Sequence, residues 1–350
     1  MRSLSITLLI CLALLIGLPG RLSAGEAQNA LDEGVKLYRS GKYKQAVAAY
    51  DKAIKAAPNA AEAYAGRGSA YAKLGQPDRA IKDFDAAIRL NPELVDAYYN
   101  RGNARSDAKQ YQLAVKDYDE ALRRNPKLAE AYSNRGHAYY NLGQNDKAIQ
   151  NYDEALKLDR KLVDALYNRA TAYFVQRQYD RAIKDYDELI KQSPKSAKLI
   201  KQRGVAFSAA AQFDRAIQDF NQAQKLNPRD SEVYYSRGLA YRRLGKHEEA
   251  VQDYTEAIKL DPRNAEIYNN RANAYSLLGK YEQALTDYDQ AVKLDPKNAR
   301  IYANRGAIRM RQGKNEDGQK DLRKALELDP ALKEKIDPLI NQQDGSSIKR

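Results

Sequence analysis

Residues Tyr268–Asn298 read YNNRANAYSLLGKYEQALTDYDQAVKLDPKN. A tyrosine, an Asn-Arg pair, a glycine, alanines, more tyrosines and a closing Asp-Pro could be pieces of an active site or parts of a structural unit. The stretch is not unique, which decides between the two. Proline stands at Pro58, Pro92, Pro126, Pro194, Pro228, Pro262, Pro296 and Pro330, each 34 residues from the last, or 68 where Arg160 holds the expected proline position. A fixed period of this length is the mark of a stacked repeat architecture. The repeats fall at 27–60, 61–94, 95–128, 129–162, 163–196, 197–230, 231–264, 265–298 and 299–332. They occupy 306 of 350 residues and leave the first 26 and the last 18.

Each repeat holds two segments with helical spacing of apolar residues. In the eighth, the spacing predicts a first helix over 265–278, with Tyr268, Ala272 and Tyr275 on one face. Gly279 ends it. A second helix is expected over 281–294, with Leu285, Tyr288 and Val292 inward and Ala284 and Ala291 beside them. Asp295-Pro296 stops it, because proline disfavours helix in the residue before it. The small residues sit where two helix backbones must approach closely.

These positions resemble the tetratricopeptide repeat. That family's pattern has a large aromatic fourth, Gly or Ala eighth, an aromatic eleventh, Ala twentieth, an aromatic twenty-fourth, Ala twenty-seventh and Pro thirty-second. Repeat seven matches with Tyr234, Gly238, Tyr241, Ala250, Tyr254, Ala257 and Pro262; repeat two matches with Tyr64, Gly68, Tyr71, Ala80, Phe84, Ala87 and Pro92. The resemblance implies an all-α fold, a right-handed superhelical α-solenoid of nine helix-turn-helix repeats with one continuous core. The end repeats depart from the pattern at Ala30 and Leu37, and at Arg309, Gly318 and Leu322, as repeats lacking one neighbour do. Arg105 in an aromatic position, and Lys109 and Arg177 in place of the turn glycine, predict looser packing there. In the tail 333–350, Ile336, Leu339 and Ile340 share a face and could cap the last helix.

The first 26 residues have another character. Arg2 precedes an apolar run from Ile6 to Leu18, and small residues follow. This reads as a secretory signal peptide, cleaved near 24–27, and the run is short for a membrane span. The expected compartment is a bacterial periplasm, with secretion or an N-terminal membrane anchor as alternatives. The only cysteine, Cys11, lies inside the run.

The chemical inventory points away from catalysis. Beyond the leader the chain carries only His137 and His247 and no cysteine, and it has no phosphate-binding glycine loop, dinucleotide fingerprint or nucleophile elbow. No catalytic residue, metal site or cofactor is expected. The formal charge of +13 leaves one question open. Arginine recurs at position seven of the repeats as Arg67, Arg101, Arg135, Arg169, Arg203, Arg237, Arg271 and Arg305. The row could bind an anionic polymer, either a cell-surface polysaccharide or nucleic acid. It could equally pair with acids such as Asp83, Asp117 and Asp287 on the second helices, since half-buried arginine needs a carboxylate. The other cations are scattered among acids, so a nucleic-acid track is not expected.

Position six holds Asn100, Asn134, Asn168, Gln202, Asn270 and Asn304, with Ser236 between. In the family this position opens onto the concave groove, where a row of asparagines holds an extended peptide. An amide both donates and accepts, so it can grip a peptide backbone without reading the side chains. Tyr99, Asn103, His137, Tyr140, Tyr167, Phe174, Tyr235, Asn269 and Asn273 are the other residues expected on that face. A carboxylate-clamp ligand is not expected, because Ser133 and His137, Asn168, then Lys198 and Gln202 leave both basic pairings incomplete. The reading is a non-enzymatic scaffold whose partner is a protein or peptide.

Overall fold

The computed structural model describes residues 24–341. The apolar run of the expected signal peptide lies outside them, as do residues 342–350. The chain forms two compact units that divide at Ala172/Tyr173. The first holds α1 (Ala24–Arg39), α2 (Tyr43–Ala56), α3 (Ala61–Lys73), α4 (Pro77–Leu90), α5 (Val95–Asp107), α6 (Tyr111–Arg124), α7 (Ala129–Asn141), α8 (Asn145–Leu158) and most of α9 (Val163–Val175). The second holds α10 (Tyr179–Gln192), α11 (Ala197–Ala209), α12 (Phe213–Leu226), α13 (Ser231–Arg243), α14 (His247–Leu260), α15 (Ala265–Leu277), α16 (Tyr281–Leu294), α17 (Ala299–Arg311), α18 (Asn315–Leu328), a 3-10 turn at Pro330–Leu332 and α19 (Lys333–Asn341). Up to α18, odd-numbered helices open a repeat and even-numbered helices close it. The fold is an all-α repeat solenoid, and no strand occurs among the described residues.

The core follows the repeat pattern. In the α15/α16 pair Ala272, Ala284, Leu285, Tyr288 and Ala291 are buried, with Tyr268, Tyr275 and Val292 packed against them. Position eight is small because the aromatic at position twenty-four lies across it. A Cβ on Gly102 would stand 2.7 Å from the Tyr118 ring, closer than carbon atoms pack.

Lys109 and Arg177 do not loosen their turns. Gly279, at φ +72°, ends α15 with its N–H on the Ser276 carbonyl and that of Lys280 on the Tyr275 carbonyl. Such closure needs a left-handed residue. Lys109 takes that conformation at φ 59° and makes the same bonds, to Ser106 and Arg105. Arg177 and Ala211 do likewise, also at φ 59°. Arg105 fills its aromatic position by an ion pair, with Nη1 2.8 Å from Asp117. At these residues a left-handed backbone and an ion pair take the place of the glycine and the ring, and the turns close as they do elsewhere. Where Arg160 replaces proline, Asp159 keeps the turn by accepting the Lys161 N–H at 2.9 Å.

At the C-terminal end Ile336 is 2% exposed against Leu322 and Ala325, with Leu339 and Ile340 packed around it. No described helix is long and apolar enough to cross a membrane.

Candidate functional site

Two polar systems run through both units. The first joins first helices to second helices. Each position-seven arginine lies 16 residues before position twenty-three of its own repeat and 16 after position twenty-five of the preceding one. In the first unit Arg67 donates to both Asp83 oxygens and to Asp51, and Arg101 bonds Asp117 and Asp85. Arg135 meets Asn151 and Asp119, and Arg169 meets Asp153. In the second unit Arg203 takes Asp219 and Asp187, and Arg305 takes Asp321 and Asp289. Arg237 bonds Asp253 together with Asn221 and Gln224, and Arg271 bonds Asp287 together with Thr255. The Asp219 hydrogen bond, and then Asp187, hold the Arg203 guanidinium above its ordinary pKa against the opposing effect of burial. These arginines are interior staples, already neutralised by their own chain.

The second system joins consecutive first helices. Asn134 Nδ2 donates to Tyr99 Oη at 3.1 Å and to Asn103 Oδ1 at 2.9 Å, and the same Asn103 oxygen accepts the Tyr118 hydroxyl at 2.8 Å. In the second unit Asn270 Nδ2 donates to Tyr235 Oη at 3.1 Å, and Tyr235 donates on to Glu266 at 2.7 Å. Asn304 Nδ2 donates to Asn269 Oδ1 at 3.0 Å, and Tyr288 donates to Asn273 Oδ1 at 2.7 Å. Position six therefore reaches back to position five of the preceding repeat. The asparagine row is also a structural tie, a role its sequence position did not reveal.

The remaining expected residues sit differently. Asn100, Asn168, Gln202, Tyr140 and Tyr167 are half-buried on their helices. His137 is exposed and lies 3.1 Å from the Asn141 amide. Phe174 turns its edge to Tyr179 at 5.4 Å between ring centres, so it packs toward its own second helix.

A cleft in the second unit joins expected groove residues to two arginines, Arg242 and Arg311, that the repeat pattern did not single out. Arg242 of α13, Asn273 and Ser276 of α15, Tyr288 of α16, and Asn304 and Arg311 of α17 line it. Burial pushes the Tyr254 hydroxyl up to about 12, and Arg242 beside it acts against that rise. The signal that could have exposed Arg242 and Arg311 is that both stand off the position-seven row, out of register with the paired acids.

A family model described as tetratricopeptide repeat matches residues 31–95 and 67–129, and one described as the cilia and flagella-associated protein 70 C-terminal domain matches residues 113–336. Among solved structures, a tetratricopeptide repeat protein from Parabacteroides merdae is 23% identical, over 71% of this chain and 97% of that one, with a TM-score of 0.56. The C-terminal part of a repeat-containing protein from Cytophaga hutchinsonii is 18% identical, over 69% of this chain and 98% of that one, at 0.59. Pseudomonas aeruginosa pilF is 18% identical, over 63% and 97%, at 0.52. At these identities the likeness is one of fold. No curated protein matches the sequence.

Proposed function

Since the chain belongs to the tetratricopeptide repeat family, we propose that it is an exported, non-enzymatic scaffold that holds peptide segments of partner proteins on the face made by its first helices. The observation that carries this reading is the row of amides and phenols on successive first helices. In the Tyr99–Asn103–Asn134 cluster each group is held in place by a neighbour, and each amide keeps donor or acceptor capacity beyond those bonds. A preorganised polar row of this kind can exchange hydrogen bonds with an extended backbone at little ordering cost. The leader-like segment Ile6–Leu18 supports export, and a periplasm is the compartment we favour.

The polyanion reading loses its main support, because the position-seven guanidiniums are already engaged inside the protein. Site-specific photo-crosslinking in native envelope extract tests the proposal. A crosslinker at exposed His137, on a first helix, should capture a protein partner. One at Arg123, 63% exposed on second helix α6, should not. Capture from Arg123 alone would remove the first-helix face as the binding surface.

A further inference from the structure

The formal charge of +13 is concentrated in one kind of place. The last two residues of a second helix and the three that follow form a five-residue junction to the next repeat. In repeats three to eight the junctions are 123–127, 157–161, 191–195, 225–229, 259–263 and 293–297. They hold fourteen lysines and arginines against three aspartates, a formal +11. Arg124 alone is drawn inward, with Nε on the Pro92 carbonyl and its guanidinium 4.3 Å from the centre of the Tyr98 ring. The other thirteen cations are exposed.

Part of this pattern has a local cause. Each junction opens with a cation in the last helical turn, where the helix dipole favours it. The fifth junction residue lies beyond the helix and has no such cause. It is Lys127, Lys161, Lys195, Arg229, Arg263 and Lys297 in turn. None of these six side chains enters an ion pair among the described residues. Nearby acids are turned to other partners. Asp159 accepts the Lys161 backbone N–H, and Asp295 accepts the Asn298 amide. Asp230 and Glu232 pair with Lys201, and Glu266 accepts the Tyr235 hydroxyl.

Apolar side chains stand among the cations. Leu158 and Val163 in the first unit are 45% and 51% exposed, and Leu226 and Leu260 in the second are 40% and 39% exposed. Stacking sets neighbouring junctions side by side within each unit. Arg124 of one junction reaches Pro92 of another at 2.9 Å, and Arg263 and Leu294 of successive junctions line one cleft. Each unit thus carries its own edge of exposed cations and leucines, made by the inter-repeat loops rather than by the first helices.

We propose that this edge adsorbs to a membrane surface rich in anionic phospholipid. Its lysines and arginines meet the lipid phosphates, and its leucines enter the boundary between headgroups and acyl chains. Nucleic acid also offers phosphates, but single strands are held on aromatic stacking platforms, and the six junctions contain no Tyr or Phe. Leucines exposed between cations give a sugar-phosphate backbone nothing to bind, whereas a lipid interface takes both.

The test is flotation of the full chain with phosphatidylcholine vesicles and with vesicles that contain about 30% phosphatidylglycerol. Partitioning should be about tenfold or more stronger on the anionic vesicles and should fall steeply with salt. Any contribution of the apolar run Ile6–Leu18 is common to both vesicle types, so the difference between them reads the edge. Arg229→Gln/Arg263→Gln/Lys297→Gln should lower anionic partitioning about tenfold or more. Lys82→Gln/Lys116→Gln/Lys184→Gln removes the same charge from exposed positions in the middle of second helices and should retain it. Leu226→Ser/Leu260→Ser should weaken adsorption without changing its salt dependence. Equal partitioning on the two vesicle types would overturn the proposal, as would a junction variant that adsorbs like wild type. Losses of equal size in the two triple variants would assign the effect to bulk charge and overturn it too. An oligonucleotide that binds through the same three cations while vesicles do not would replace the lipid as occupant.

Discussion

Arg203 grips Asp219 through two parallel bonds, Nε to Oδ2 at 2.8 Å and Nη2 to Oδ1 at 2.7 Å, while its third nitrogen reaches Asp187 of the preceding repeat at 2.7 Å. One side chain thus ties one first helix to two second helices. Asp219 is nearly buried, at 7% side-chain exposure. Arg203→Ala strands that carboxylate and should destabilise by about 3–5 kcal/mol. Arg203→Lys keeps the charge but loses the fork, and should recover only part of this. Urea titration with unchanged slope would measure both. An unfolding midpoint that Arg203→Ala leaves in place would show that the arginine row is not a structural staple.

The Asn134 and Asn270 amides reach back to Tyr99 and Tyr235, and Asn270 is 7% exposed. Replacement by alanine should therefore cost stability, about 0.5–1.5 kcal/mol for each lost bond. The better helix propensity of alanine offsets part of this. Asn168→Ala serves as a half-buried position-six comparison. If the row also grips peptide, Asn134→Ala/Asn168→Ala should weaken the partner captured by crosslinking by about 1–3 kcal/mol. Calorimetric titration reads the binding and thermal melting reads the stability, so the two roles separate. Affinity equal to wild type would leave these asparagines purely structural.

Lys109, Arg177 and Ala211 hold φ near 59° in turns that glycine closes elsewhere. The left-handed conformation costs a residue with a Cβ about 1–2 kcal/mol. Glycine removes that cost but gives back about 0.5–1 kcal/mol through the freedom of the unfolded chain. Lys109→Gly and Ala211→Gly should thus raise stability by a few tenths to about 1 kcal/mol. Gly279→Ala, at φ +72°, should do the reverse. A lower melting temperature for both glycine variants would mean that the native turn carries no strain.

The fold was legible because its determinants repeat. Asp295-Pro296 and Gly279 end helices by local backbone chemistry, and these marks are visible without neighbours. The pairing of position-seven arginine with second-helix acids was legible as chemistry too. How Arg203 divides itself between Asp219 and Asp187 was not, because that depends on the packing of adjacent repeats. The double life of Asn134 stayed hidden for the same reason: Tyr99 stands 35 residues away, one residue off the period. Arg242 escaped notice because arginine on a charged helix is ordinary, and only the lack of a carboxylate beside it sets it apart.

Export predicts a shorter native chain. Removal of a leader ending between residues 24 and 27 would take Arg2 and Arg21 with it, so the formal charge would fall from +13 by two, to +11, or to +12 if Glu26 is also lost. Intact-mass measurement of protein from its native source should show a start in that range. A species retaining Met1 would favour the N-terminal anchor.

Alkaline pH should unfold the protein through its buried phenols. Burial pushes Tyr254 up to about 12 and also raises Tyr118, Tyr152 and Tyr288 above the ordinary 10.0. Between pH 10 and 12 the unfolded chain has released protons that these folded hydroxyls keep. The folded state then binds more protons, so stability is whole below pH 10 and falls as pH rises. At about 1.4 kcal/mol per pH unit, Tyr254 alone accounts for roughly 2–3 kcal/mol of that loss. Tyr254→Phe removes this buried hydroxyl, which lies beside Arg242, and should blunt the alkaline loss. Phenolate absorbance and helical circular dichroism, followed together, report the transition. Two phases are expected, the accessible tyrosines first and the buried ones with the collapse of helix. Titration of all 26 tyrosines in one ordinary step, with helix intact, would show that the aromatic core admits water.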